Sequence, residues 1–214
     1  MELALHHLTP VPLRDKLKER ASDVWNQSIS FRKGEHVFVQ APSGKGKTTL
    51  VHIMYGMRSD YTGEVHWDGK TISKTNEVQL AHLRATYLSI IFQDLRLFPE
   101  LTVWENLELK RTLTNTVTPK RVDEMLQRLG IPEKKKELAK TLSYGEQQRV
   151  AIIRALLQPF DWIIMDEPFS HLDTANIKKA ISLINEVAEI NSAGLLLADL
   201  EPNNHFHYHK TLHL

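Results

Sequence analysis

The stretch Ala41-Pro42-Ser43-Gly44-Lys45-Gly46-Lys47-Thr48-Thr49 lies between an apolar run, Val37-Phe38-Val39, and a helical pattern from Leu50 to Met57. A strand, a small-residue loop and a Lys-Thr pair opening a helix make a phosphate-binding loop, or P-loop. Successive backbone N–H groups in such a loop turn inward to form a concave anion site, which the helix N-terminus reinforces. Lys47 is placed to reach the β- and γ-phosphates of a nucleotide, and the Thr48 hydroxyl to ligate Mg²⁺. The pattern G-x-x-x-x-G-K-[ST] is met except at its first glycine, which is Ala41. A methyl group there costs about 1 kcal/mol or more only if the position needs a positive φ.

Three further groups suit chemistry on the same phosphate. Phe160-Asp161-Trp162-Ile163-Ile164-Met165 reads as a buried strand that ends in Asp166-Glu167. Adjacent carboxylates at a strand end are costly unless a cation or water accompanies them. Asp166 is therefore the expected Mg²⁺-side acid, and Glu167 the candidate base for an attacking water. Gln93 ends the apolar run from Tyr87 to Phe92 and, facing the same edge, would ligate Mg²⁺ or orient a water. Taken alone, a strand-end glutamine is more often simply solvated. Ser143, followed three residues later by Glu146, is a capping-box start to the apolar helix Val150 to Leu157. The same geometry offers free N–H groups and a hydroxyl to an anion.

The elements that must hold these residues alternate between strand and helix patterns, as an α/β fold requires. Met1 to Leu8 alternates and reads as an edge strand, broken by Pro10 and Pro12. Leu13 to Val24 reads as helical or irregular with a charged, solvated face. Trp25 to Phe31 is a further strand, and Glu64 to Trp67 with Asp68-Gly69 gives a hairpin, hence a small antiparallel sheet. Helices are expected at Leu80 to Arg84, Val103 to Leu109 and Val122 to Leu129, the last stopping at Gly130. The charged run Glu133 to Glu137 reads as an exposed face.

The bulk properties set limits. A chain of 214 residues suits one domain, or one with a subdomain. A net charge of +1 gives no electrostatic reason to expect nucleic acid as a partner. The absence of cysteine suits a reducing cytoplasm. Neither a signal-peptide pattern nor a run of about 20 apolar residues is present, so a membrane role is expected only through a partner.

In their order, these blocks resemble the nucleotide-binding cassette of ABC ATPases. The resemblance rests on the P-loop, on Ile91-Phe92-Gln93-Asp94, on the signature Leu142-Ser143-Tyr144-Gly145-Glu146-Gln147-Gln148-Arg149, and on Ile163-Ile164-Met165-Asp166-Glu167-Pro168. Ser170-His171-Leu172-Asp173 is similar to the D-loop that follows. The likeness runs from about Trp25 to about Asp199. The text Phe98-Pro99-Glu100-Leu101-Thr102-Val103-Trp104-Glu105-Asn106 further resembles exporters of the lipoprotein-release and macrolide-efflux type.

The resemblance implies a single ABC domain over 1–214, with a RecA-like P-loop NTPase core and an antiparallel β subdomain from 1–93 and 158–214. A helical subdomain carrying the signature is inserted at 94–157. It implies MgATP as ligand and two cassettes, as a homodimer, closing head to tail. Ser143, Tyr144, Gly145 and Glu146 would then face the partner's nucleotide. A membrane permease would dock in the groove near Gln93, placing the chain on the cytoplasmic face of the membrane. Catalysis would fall to Glu167 and Gln93, Mg²⁺ to Thr48, Gln93 and Asp166, and the D-loop role to Asp173.

Several positions depart from the family. Tyr144 replaces the first signature glycine, which is unfavourable if a positive φ is needed. Between Leu8 and Val24 there is no aromatic residue to stack on adenine, and His6, His7 or Trp25 would substitute only with a shifted backbone. The family's switch histidine falls at Ala198 or Asp199, and His205 and His207 lie too far along to replace it. The histidines from His205 to His213 alternate, which a strand would place on one face; a solvated last strand is expected over a metal site.

The reading is an ATP-hydrolysing subunit serving a separate membrane permease. An ATP-gated interaction module with weak or no hydrolysis is the alternative, motivated by Tyr144 and the missing histidine. A P-loop kinase is disfavoured because it needs no signature.

Overall fold

The computed structural model describes residues 1–17 and 21–214, and for Lys74 the backbone alone. Part of the stretch expected to be helical or irregular after Leu13 thus lies outside the described residues.

Five strands form a parallel sheet in the order β6-β7-β8-β3-β9. They are β3 (His36–Gln40), β6 (Leu88–Ile91), β7 (Trp162–Asp166), β8 (Gly194–Asp199) and β9 (Lys210–His213). The apolar runs of β3, β7 and β8 are continuous because both faces of the sheet are covered. Strand alternation sends Phe38, Ile163, Met165, Leu195 and Leu197 into one buried cluster. Val37, Val39, Trp162, Ile164, Leu196 and Ala198 point into a second cluster on the opposite face.

The first face is covered by α7 (Thr174–Asn191) and by the helices between β6 and β7: α4 (Val103–Thr114), α5 (Pro119–Arg128) and α6 (Tyr144–Ala155). On the second face lie α2 (Lys47–Met54) and the antiparallel sheet β2-β1-β4-β5. That sheet comprises β1 (Leu3–Pro10), β2 (Ser28–Phe31), β4 (Tyr61–Trp67) and β5 (Lys70–Thr71). The expected hairpin at Asp68-Gly69 joins β4 to β5. β1 is not the edge strand expected. It lies between β2 and β4 with Leu3, Leu5 and Leu8 fully buried, because its alternating leucines are needed by the core beneath it.

A short helix, α1 (Arg14–Leu17), follows β1, and α3 (Glu77–Thr86) starts earlier than expected, while α4 runs on past Leu109 and α5 starts before Val122. Asn76 and Gln79 cap α3 reciprocally, as Thr102 and Glu105 cap α4, which satisfies N–H groups that apolar periodicity does not report. The charged run after α5 is more than a solvated face. Lys134 pairs with Glu137 and lies 3.6 Å from Glu146, while Lys135 bonds Asp123 and sits 3.9 Å over the Trp104 ring. The histidine-rich tail is strand only from Lys210, so the alternation at His205, His207 and His209 places no common face. His36 donates its backbone N–H to His209 Nδ1, and its ring contacts the His207 carbonyl. Among the described residues no group of three or more His, Cys, Asp or Glu could hold a metal ion. Nor is any described helix long and apolar enough to cross a membrane.

Candidate functional site

The loop 41–46 leaves the end of β3 and turns into α2 through Gly46, whose φ of 105° caps the helix in the left-handed region. Gly46 is required twice over. A side chain would be strained there, and its Cβ would sit 2.8 Å from Leu13 Cδ1 and 3.2 Å from the Trp25 ring. Ala41, in contrast, is buried with no positive φ, so its methyl group costs no backbone strain. The first glycine of the pattern is dispensable in this chain because the backbone turns at Gly44 and Gly46 instead.

A cleft of about 200 Å³ opens above this loop, lined by Leu13, Ser43, Gly44, Gly46, Lys47, Thr48, Thr49, Gln93 and Glu167. Lys47, only 4% exposed, donates to the carbonyls of Ala41 (2.7 Å) and Pro42 (3.3 Å) and lies 3.1 Å from Glu167 Oε1. Gln93 donates to Glu167 Oε2 at 2.9 Å and accepts from the Thr48 hydroxyl at 3.4 Å. Residues just past β6 and β7 and at the start of α2 thus meet at the carboxyl ends of parallel strands, where open α/β sheets bind ligands. Glu167 reaches the cleft because its φ of 45° turns the chain sharply after β7, and its N–H is held by the Ala198 carbonyl at 2.9 Å. That conformation is unfavourable for glutamate, and strain of this kind concentrates at working sites.

Asp166 lies beside this group, 1% exposed, and among the described residues neither carboxylate oxygen has a hydrogen-bond partner of good geometry. Burial pushes its carboxyl up to about 6, with Glu167 and Asp199 acting in the same sense and Thr48 and Lys47 opposing. A buried carboxylate with both oxygens orphaned is what a bound cation would satisfy. The oxygens of Asp166, Thr48 and Gln93 are hard donors of the kind Mg²⁺ takes, so the residues present fit that ion.

A stability consequence follows. The Asp166 carboxyl has a folded value raised from its ordinary 3.8, so between about pH 4 and pH 6 the folded chain holds the extra proton. Stability therefore falls as pH rises through that window, and the full burden, about 3 kcal/mol, persists above it. Asp166→Asn is expected to stabilise the metal-free chain by about 1–3 kcal/mol at pH 7.5, the gain vanishing near pH 4. Urea denaturation in a chelator at the two pH values reads this; a gain equal at both would contradict it.

The signature segment lies across the D-loop. Ser143 caps α6, its hydroxyl accepting from the Glu146 N–H (3.3 Å) and donating to the Glu146 carboxylate (2.9 Å). Tyr144 occupies the first turn of α6 with no positive φ, so it meets none of the strain feared from the sequence. Its hydroxyl donates to the Gln93 carbonyl at 3.2 Å and its ring packs 4.1 Å from His171. Gly145 faces the His171 carbonyl so closely that a Cβ would come within 2.8 Å of it.

Two residues to which the sequence assigned no part belong to the site, one joining the signature to the D-loop and one in the wall of the phosphate cleft. Gln148, buried in α6, accepts from the His171 N–H (3.1 Å) and donates to the Glu167 carbonyl and Ser170 hydroxyl (both 3.5 Å). A buried polar residue on the apolar face of a helix was the available signal. Leu13 is the other, and it carried no signal. Asp173, the D-loop residue, caps α7 through the Asn176 N–H. At the end of β8, Ala198 is fully buried and Asp199 follows, its carboxyl pushed up chiefly by burial.

A parallel sheet with a P-loop between β3 and α2, and carboxylates at the end of β7, defines a P-loop nucleoside triphosphatase. The family profile described as "ABC transporter" matches residues 24–170. The chain is 38% identical over 165 residues to the lipoprotein-releasing system ATP-binding protein LolD of Aquifex aeolicus, covering 76% of this chain and 74% of that one. It is 35% identical to the uncharacterized ABC transporter ATP-binding protein YclH of Bacillus subtilis, over 75% and 72% of the two chains. Among solved structures, the dimeric bacterial ABC transporter cassette MJ0796 superposes with a TM-score of 0.79 at 26% identity, over 93% of this chain and 88% of that one. A post-hydrolysis state of that cassette, bound to ADP and Pi, matches equally well in shape, at 25% identity over the same shares of the two chains. The chain belongs to the ABC transporter family and is an ATP-binding subunit of the ABC ATPase type.

Proposed function

We propose that the cleft binds MgATP, that a second cassette completes the site, and that hydrolysis there drives a membrane permease. The observation that carries this reading is the convergence of Lys47, Thr48, Gln93 and Glu167 on one cleft beside the orphaned Asp166. Lys47 transfers its charge from Glu167 to the β- and γ-phosphates, and the loop N–H groups hold the remaining oxygens. Thr48, Gln93 and Asp166 would hold Mg²⁺, which supplies charge neutralisation at the phosphates. Released from Lys47, Glu167 accepts a proton from the attacking water while Gln93 orients that water.

Ser143 and Gly145 lie at the N-terminus of α6, where the first N–H groups of the helix would receive a partner's γ-phosphate. Because that stabilisation exists only in the closed pair, ATP favours the dimer and hydrolysis weakens it. The dimeric state of the MJ0796 cassette supports the arrangement.

The permease is proposed to dock in the groove of about 400 Å³ between the Gln93 loop and α4, whose lining includes Phe98, Leu109 and Leu113. All three are substantially exposed, which suits a partner helix. The groove also carries Lys110, whose ammonium is pushed down to about 8 chiefly by burial. Arg154 fixes the loop beneath by donating to the carbonyls of Leu95 and Arg96 at 2.6 and 2.7 Å. Such docking places the chain on the cytoplasmic face of the membrane.

ATP hydrolysis by the purified chain tests the reading, together with Gly145→Ala. The added methyl group must displace either α6 or the D-loop, so turnover is expected to fall about 10- to 100-fold while monomeric ATP binding is kept. Equal turnover in the variant, or none in the parent chain, counts against the composite site.

A further inference from the structure

The groove between the Gln93 loop and α4 is lined by three cations, Arg96, Lys110 and Arg154, and by no carboxylate. Two of the three are satisfied within the chain. Arg96 donates to the Asp94 carboxylate at 3.1 Å and lies 4.2 Å over the Phe92 ring, and Arg154 holds the carbonyls of Leu95 and Arg96. Lys110 has no such partner among the described residues. Glu108, the acid nearest to it in sequence, forks onto Arg111 instead. Burial and the Arg154 charge both act against the Lys110 ammonium, and no described group acts for it.

We infer that the permease segment seated in this groove carries an aspartate or glutamate that pairs with Lys110, flanked by apolar side chains that cover Phe98, Leu109 and Leu113. The inference rests on the docking proposed above and names the chemistry of its occupant. Asn106, Leu109, Lys110 and Leu113 fall at i, i+3, i+4 and i+7 of α4, so one helix face turns all four to the groove. Asn106 is spent on the chain itself, accepting from the Phe98 N–H at 2.8 Å and donating to the Phe98 carbonyl at 3.0 Å. What α4 offers a partner is therefore one ammonium between two exposed leucines. A docked segment without an acid would take that ammonium further out of water with no counter-charge. An acidic segment removes the penalty, so the groove discriminates between partners by charge as well as by shape.

The complex of the chain with its permease, purified from membranes of cells that make both, tests this. A carbodiimide joins a lysine Nζ to a carboxylate in contact with it as an amide, the lost oxygen leaving in the urea. Mass spectrometry of the treated complex is expected to find Lys110 joined to an aspartate or glutamate of the permease. Lys110→Met is expected to weaken the complex about 10- to 100-fold and Lys110→Glu to abolish it, while Lys110→Arg holds it within about threefold. All three variants are expected to bind MgATP as the parent chain does, since Lys110 does not line the phosphate cleft. A Lys110→Met complex as tight as the parent's would overturn the inference, as would Lys110 joined to a carboxylate of a second copy of this chain. So would the absence of any Lys110 adduct in a complex that Phe98→Ser with Leu113→Ser releases; the docking would then stand without the acid. A chain that brings no membrane protein with it, or a complex that Phe98→Ser with Leu113→Ser leaves intact, would instead remove the docking from this groove, and this inference with it.

Discussion

Glu167→Gln is expected to lower ATP turnover by about 10²- to 10⁴-fold and to leave an ATP-dependent dimer that persists through size exclusion. The amide is nearly the same size and still accepts from Gln93 through its oxygen, so the 2.9 Å contact and the turn at φ 45° are retained. What is lost is the ability to take a proton from water. A second effect concerns Lys47, whose ammonium lies 3.1 Å from Glu167 Oε1 in the nucleotide-free chain. With a neutral partner, Lys47 no longer gives up an ion pair when phosphate arrives. ATP affinity is therefore expected to rise or hold while turnover collapses. Elution as monomer only, in MgATP, would show that two chains do not share a site in the way proposed.

Much of the cleft was legible because its residues are local in sequence. The P-loop, the Asp166-Glu167 pair and the Ser143 cap each lie within a few residues, and their spacing carries the geometry. Gln93 needed a strand end to be placed, and β6 ends at Ile91, just short of the end of the apolar run at Phe92. What was not legible depends on distant pairing or on backbone torsion. The interior place of β1 is fixed by β4, some sixty residues later, and weak alternation alone could not distinguish it from an edge. Glycine-to-alanine and glycine-to-tyrosine departures at Ala41 and Tyr144 looked costly, yet neither position has a positive φ; Glu167, among the cleft-lining residues, does, and no pattern marks it. Gly145 does require a glycine, because the His171 carbonyl of a segment 26 residues away leaves no room for a Cβ. Leu13 entered the cleft unannounced because a lone leucine after two prolines signals nothing.

Lys47→Ala is the second large effect, and its direction follows from the charge balance. Lys47 faces Glu167 directly, and its charge also lowers the carboxyls of Asp166 and Asp199. It is therefore the cation that the carboxylates of this cleft share. Its removal has two consequences that add against ATP. The charge-assisted bonds to the β- and γ-phosphates vanish, at about 1.5–3 kcal/mol each. The remaining carboxylates then repel an incoming polyanion, and in a partly buried cleft that repulsion is poorly screened. Affinity for ATP is expected to fall at least about 100-fold, since each 1.4 kcal/mol is a factor of ten. Combining it with Glu167→Gln removes one of the repelling charges, so the double variant is expected to recover part of the lost affinity. Titration calorimetry on the parent, both single variants and the double variant gives the coupling directly. If the two substitutions prove additive, Lys47 and Glu167 do not exchange partners when nucleotide binds, and release of Glu167 by the phosphates is not the step that frees the base.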